Sequence, residues 1–123
     1  MTRSPGAEPD GLAILGLARR AGAAVVGTES VRRALRAGEL QALVLAGDAS
    51  PKQLEKVRKL AEHREVPVRW VPERDALGRA LGAGPLSVVG VTTRSFATQL
   101  LRKFPSDPSD SPEGKGRGRS RRK

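Results

Sequence analysis

Apolar and polar positions along this chain change repeatedly between a helical spacing and short strand-like runs. Apolar residues recur every three or four positions in five segments, which predicts amphipathic helices at about 11–21, 28–37, 51–64, 73–81 and 93–104. Short apolar, partly β-branched runs lie between them and predict four strands at 23–26, 42–46, 66–71 and 88–91. The alternation favours an α/β fold, a three-layer α-β-α sandwich with about five helices and a four-stranded mixed sheet whose strands run mostly parallel.

Residues 27–38 turn from a loop into a short basic helix. Gly27 permits backbone angles that a side chain forbids, Thr28 is expected to be the N-cap, and Gly38 is expected to end the helix in a left-handed conformation. One face is apolar, and the other carries Arg32, Arg33 and Arg36. Free first-turn amides beside three guanidinium groups suit phosphate, although the arginines of a surface helix can also serve only for solvation.

The charge is strongly positive but unevenly distributed. The 123 residues carry a formal net charge of +10, which points to a polyanionic partner, most often nucleic acid. Six basic and no acidic residues lie in Gly114–Lys123, so the other 113 residues hold 17 basic and 13 acidic residues, a net charge of +4. We expect residues 1–9 to be a disordered N-terminus, 10–104 to be the folded domain, and 105–123 to be a disordered polybasic tail.

Composition argues against several classes of site. With no cysteine and one histidine, His63, a disulfide framework, a zinc site or a serine–histidine triad is not expected. Asp48, Glu73 and Asp75 lie near predicted strand ends but have no identifiable partner base or phosphate loop, so we expect neither an enzyme nor a cofactor. No apolar run is long enough for a membrane span or a signal peptide, which favours a cytoplasmic protein that does not bind membranes.

The single tryptophan, Trp70, falls in the third predicted strand. A core position is the expected one for this side chain, and stacking on an RNA base is the alternative.

Four segments, in this order and spacing, resemble the L-seven-Ae/L-thirty-e ribosomal protein family of kink-turn RNA binders (the ribosomal L-seven-Ae/Gadd superfamily), and most of all its small bacterial members of the YlxQ type. They are Leu15–Gly22 (LGLARRAG), Val26–Leu35 (VGTESVRRAL), Leu43–Pro51 (LVLAGDASP), and Val66–Pro72 (VPVRWVP) followed by Leu77–Gly82 (LGRALG). Together they extend over most of the predicted folded part, and the resemblance implies an α-β-α sandwich.

The resemblance also implies a site. In typical members Gly-Thr is followed by Asn-Glu, which contact sheared guanine–adenine pairs, and by a lysine three residues further on, which contacts the RNA backbone. Those positions here are Glu29, Ser30 and Arg33. Arginine keeps the positive charge, whereas the carboxylate of Glu29 accepts hydrogen bonds but donates none.

A second part of the site is implied by the family's apolar loop before the last strand, which supports a flipped-out nucleotide. The matching segment is 84–88, from which we single out Leu86, Ser87 and Val88. Simple core packing is the alternative role for this loop.

These observations predict an RNA-binding protein whose candidate site residues are Gly27, Thr28, Glu29, Ser30, Arg32, Arg33, Arg36, Leu86, Ser87 and Val88. The expected partner is structured RNA such as ribosomal RNA, with ribosomal proteins or translation and transcription factors as further partners. The alternative is a protein-interaction module, or a ribosome-associated or translation-linked factor, that has kept the fold and lost specific kink-turn readout.

Overall fold

A computed structural model describes residues 10–106, which form five helices and four strands. The helices are α1 (Asp10–Arg20), α2 (Thr28–Arg36), α3 (Pro51–His63), α4 (Arg74–Ala80) and α5 (Arg94–Lys103), and the strands are β1 (Ala24–Val26), β2 (Ala42–Ala46), β3 (Val68–Val71) and β4 (Val88–Val91). Every predicted element is present, and most bounds move by only one or two residues. The N-terminal segment 1–9 and almost all of the predicted tail lie outside the described residues.

The four strands form one mixed sheet in the order β1-β4-β2-β3. Strand β4 runs antiparallel to both β1 and β2, with Val26 opposite Val89 and Leu45 opposite Val88, and only β2 and β3 are parallel. The mixed sheet is confirmed, but the expectation of mostly parallel pairing is wrong. The alternation of helices and strands implies that a helix joins each pair of consecutive strands, but it does not set the direction in which the last strand enters between two earlier ones.

Helices cover both faces of the sheet, which confirms the α-β-α sandwich. Because successive residues of a strand point to opposite faces, β2 contributes Leu43 and Leu45 to one core and Val44 to the other. Helices α2 and α3 pack on the Leu43 side, and α1, α4 and α5 pack on the Val44 side. The continuous apolar run of β2 is therefore buried throughout, as a central strand covered on both faces requires.

Trp70 lies in the core beneath α3, and only 6% of its surface is exposed. The Arg58 guanidinium lies 5.9 Å from the centre of its ring. The predicted core position is confirmed, and burial leaves no ring face free for a nucleotide. The Trp70 backbone N–H donates to the Pro105 carbonyl oxygen at 3.0 Å, so the chain after α5 returns along the exposed edge of β3.

None of the helices within residues 10–106 is long and apolar enough to cross a bilayer.

Candidate nucleic-acid interface

The candidate site begins at Gly27, which is the N-cap of α2. Its backbone angles, φ 93° and ψ 149°, lie in a region that is almost confined to glycine. Thr28 is already the first helical residue, and no side chain caps this end of the helix. The expectation that Thr28 is the N-cap is therefore wrong, because the positive φ of Gly27 makes the turn into the helix one residue earlier.

A backbone hydrogen bond joins the two predicted halves of the site. The Gly27 N–H donates to the Val88 carbonyl oxygen at 3.2 Å, which extends the β1–β4 pairing by one residue. The start of α2 and the segment before β4 are thus neighbours, although they lie about sixty residues apart in the chain. The sheet therefore brings together the two segments that the sequence singled out separately.

The three residues of the second segment have different surroundings. Leu86 and Ser87 are half-buried, whereas the Val88 side chain is 1% exposed and lies in the core under α2. The Ser87 hydroxyl lies 3.5 Å from the amide oxygen of Gln53 in α3, and the Leu86 N–H donates to the Arg74 carbonyl oxygen at 3.2 Å. Leu86 and Ser87 are thus partly accessible. The Val88 side chain is not accessible, and its carbonyl oxygen accepts the hydrogen bond from Gly27.

The acidic and basic side chains at the start of α2 contact each other. Glu29 Oε1 lies 3.6 Å from Arg32 Nη1, and the Glu29 side chain is 73% exposed while that of Arg32 is 27% exposed. This pair partly neutralises one of the three arginines. Arg33 and Arg36 are exposed, and Ser30 is half-buried at the first turn.

The apolar face of α2 fixes the direction of these arginines. Val31, Ala34 and Leu35 are buried, as the helical spacing predicts, so the basic residues between them point away from the sheet. Gly38 follows with a φ of 72°, which confirms its predicted left-handed conformation at the end of the helix.

Sequence reasoning missed the residues that hold the loop before β4 in place. Asp48 lies in the turn after β2, and its carboxylate accepts a hydrogen bond from the Arg74 N–H at 2.8 Å. This bond gives an acceptor to one N–H group of the first turn of α4, which has none within the helix. Gly78, in α4, packs directly against the backbone of Ala83 and Gly84. A glycine inside a predicted helix was the one signal in the sequence that α4 has a close backbone neighbour.

The sequence and the fold were compared with known proteins. A sequence model described as the ribosomal protein L7Ae/L30e/S12e/Gadd45 family matches residues 11–101. The RNA-binding protein YlxQ of Bacillus subtilis (strain 168) is 35% identical over 88 residues, which cover 72% of this chain and 88% of that protein. The RNA-binding protein YbxF of Geobacillus stearothermophilus is also 35% identical, over 74 residues that cover 57% of this chain and 90% of that protein.

Two solved structures share the fold. A protein with unknown function from Bacillus halodurans C superimposes with a TM-score of 0.74 at 33% identity, over 77% of this chain and 96% of that chain. The Giardia lamblia 15.5kD RNA binding protein has a TM-score of 0.68 at 19% identity, over 76% of this chain and 82% of that chain, a similarity that concerns the fold alone. From the family match and the identity to YlxQ, we conclude that this chain belongs to the ribosomal protein L7Ae/L30e/S12e/Gadd45 family.

Proposed function

We propose that this protein binds structured RNA of the kink-turn type, such as ribosomal RNA, through the surface formed by residues 27–36 and the loop at 86–87. The observation that carries the proposal is the hydrogen bond from the Gly27 N–H to the Val88 carbonyl oxygen at 3.2 Å, which sets the glycine-led start of a basic helix beside the loop that carries the half-buried Leu86 and Ser87. The relatives named RNA-binding protein support RNA as the partner. A non-catalytic role in the cytoplasm, beside ribosomal proteins or translation factors, is part of the proposal.

The surface divides into three functional parts. The first-turn amides of α2 have no intrahelical acceptors and, with the exposed Arg33 and Arg36, suit phosphate groups. Glu29 and Ser30 lie at the same turn, where they can accept hydrogen bonds from base edges. Leu86 offers a half-buried apolar surface on which an unstacked base can pack.

One observation favours a second candidate function, a protein-interaction module that has kept the fold without reading RNA. Glu29 places a largely exposed carboxylate at the start of the site, where it repels phosphate. In that case Arg33 and Arg36 would contact an acidic protein surface.

The decisive experiment measures binding of the full chain to a kink-turn RNA and to a control RNA whose guanine–adenine pairs are replaced by Watson–Crick pairs, at two salt concentrations. We expect a preference for the kinked RNA that persists at the higher salt concentration, because base readout is screened less than phosphate contacts. Equal, weak and salt-sensitive binding to both RNAs would favour the protein-interaction module.

The variant Arg33→Glu tests whether α2 is the reading element. It replaces an exposed cation by an anion, and we expect the affinity for the kinked RNA to fall at least about tenfold. Arg20→Glu makes the same charge change at an exposed position of α1, on the opposite side of the sheet, and serves as the matched control. Equal losses in both variants would mean that only net charge matters and would contradict a site at α2.

A further inference from the structure

A second basic surface lies between α2 and α3 and adjoins the surface proposed above to read the kink, with which it shares Arg32 and Arg36. The two helices pack side by side on one face of the sheet, and an open groove of about 420 Å³ runs between their outer faces. It is lined by Arg32, Arg36, Lys56, Lys59, Leu60 and His63. Four of these six side chains are permanent cations, and none is acidic.

The cations form two rows because of helix geometry. Lys52, Lys56 and Lys59 are spaced by four and three residues, which places them along one side of α3 over about 10 Å. Arg32 and Arg36 form a shorter row along α2. Two rows of cations beside one groove suit the repeated negative charges of a nucleic-acid backbone.

A hydrogen bond links the ends of the two helices beside the groove. Arg64 Nη2, just after α3, donates to the Arg36 carbonyl oxygen at the end of α2, at a distance of 2.6 Å. The last turns of α2 and α3 therefore lie next to each other, so the two rows end on the same side of the sheet.

The neighbouring acidic residues neutralise the groove only in part. Lys59 Nζ lies 3.6 Å from Glu55 Oε2, but both side chains are at least 65% exposed, so water and salt screen the pair. Glu29 contacts Arg32 at the far end. Arg36 and Lys56 are exposed in the groove, where no acidic residue is among the lining side chains.

The chain also leaves the described part of the structure on this side of the molecule. Ser106 and Lys59 together line an adjoining groove beside Trp70, so Lys59 belongs to both grooves. The described chain therefore ends beside the α2–α3 groove.

We propose that the α2–α3 groove is a second RNA site, which binds the phosphate backbone of the duplex that continues from the kink and reads no sequence. The proposal rests on the proposed RNA-binding function and deepens it. RNA is favoured over an acidic protein because the groove offers lysine and arginine with a single half-buried apolar side chain, Leu60, whereas the centres of protein interfaces are depleted in lysine and built on aromatic or apolar anchors.

The test uses the full chain and compares two double variants that remove the same charge. Lys56→Gln with Lys59→Gln removes two charges from the α3 side of the groove, outside residues 27–36, and Arg20→Gln with Arg94→Gln neutralises exposed positions of α1 and α5 on the other side of the sheet. Affinity for a kink-turn RNA with a long flanking duplex, and for a straight duplex, is measured over a range of salt concentrations. Lys56→Arg with Lys59→Arg keeps the charge, and the melting temperature checks that all variants fold.

For the groove variant we expect about fivefold weaker binding to both RNAs near 0.1 M salt and a salt slope reduced by about 1 to 2, since each lost phosphate contact lowers the slope by about 1. The control variant should change the affinity less than about twofold, the charge-retaining variant should match the wild-type chain, and the ratio of affinities for the two RNAs should stay constant.

Equal losses in the groove and control variants, or an unchanged slope in the groove variant, would overturn the proposal. Binding of polyglutamate in place of RNA, with the same dependence on Lys56 and Lys59, would also overturn it and assign the groove to an acidic protein. If the wild-type chain shows no preference for kinked RNA, the proposed function fails, but the slope on straight duplex still decides whether the groove binds RNA backbone.

Discussion

The pair formed by Glu29 and Arg32 decides how much positive charge the start of α2 offers to RNA. The carboxylate lies 3.6 Å from the guanidinium and remains mostly exposed, so it lowers the local potential without being buried itself. Arg33 and Arg36 do not share this contact and carry most of the electrostatic attraction in the proposed site. The effect of Glu29 on RNA affinity therefore distinguishes the two candidate functions most clearly.

We predict that Glu29→Gln raises the affinity for kink-turn RNA about threefold at low salt. The amide removes one negative charge near the phosphates, releases Arg32 from its pair, and can donate as well as accept hydrogen bonds. The measurement is the dissociation constant at two salt concentrations, with Glu39→Gln, an exposed carboxylate just after α2, as the matched control. A loss of affinity would show instead that the Glu29 carboxylate accepts a hydrogen bond that the RNA requires.

Among the elements, the short helix α4 positions the loop before β4. It holds the loop at 82–87, since the Ala83 N–H donates to the Gly78 carbonyl oxygen at 2.8 Å and the Leu86 N–H donates to that of Arg74. A Cβ atom at Gly78 would lie 2.7 Å from the Gly84 carbonyl carbon and 3.0 Å from the Ala83 carbonyl oxygen. Because Gly78 has no side chain, the loop packs directly on α4, and this packing positions Leu86 in the proposed site.

We predict that Gly78→Ala lowers the melting temperature by about 5–10 °C. Overpacking against backbone costs about 1–3 kcal/mol, which exceeds the gain of up to about 1 kcal/mol from the better helix propensity of alanine. Thermal unfolding can be followed by the fluorescence of Trp70, which is buried and is the only tryptophan.

Arg79→Ala, at the next and exposed position of α4, should leave the melting temperature nearly unchanged. An unchanged melting temperature for Gly78→Ala would mean that the loop shifts at little energetic cost, and then Leu86 would not be held rigidly for RNA.

Considered as a whole, the molecule divides its positive charge between a mildly basic domain and a strongly basic terminal segment. Six of the 23 basic residues lie within the last ten positions, where no acidic residue offsets them. Such a segment attracts any RNA in a salt-dependent way, so it raises affinity without adding selectivity. The domain boundary at 104 stays a prediction, but the hydrogen bond to the Pro105 carbonyl oxygen makes Ser106 the better point of truncation.

We predict that truncation after Ser106 weakens binding to kinked and control RNAs by a similar factor and flattens the salt dependence. The reason is that the removed phosphate contacts are independent of sequence, whereas the folded surface retains the kink preference. The ratio of the two dissociation constants and the melting temperature should both stay near the values of the full chain. Complete loss of RNA binding would mean that the tail, and not the domain, is the part that binds.

Much of the local structure could be read from the chain because local chemistry encodes it. The spacing of Val31, Ala34 and Leu35 predicted which face of α2 is buried, and the helix predicted from residue 51 begins at that residue as α3. The one local error at the site, the cap at Thr28, concerned a single residue at a helix end, where the backbone angles of Gly27 replace a side-chain cap. The site residues themselves remain predictions until binding is measured.

The amino-acid sequence alone determined the succession of helices and strands, the basic face of α2 and the concentration of charge in the last ten residues. These features depend on the composition of each segment and on apolar periodicity, which are local properties of the chain. Only the tertiary structure decided that β4 lies between β1 and β2, that Val88 therefore meets Gly27, that Asp48 supports α4, and that Lys56 faces Arg36 across a groove. Each of these joins residues about twenty or more positions apart, and packing of the two cores, which no local pattern encodes, selects the partner.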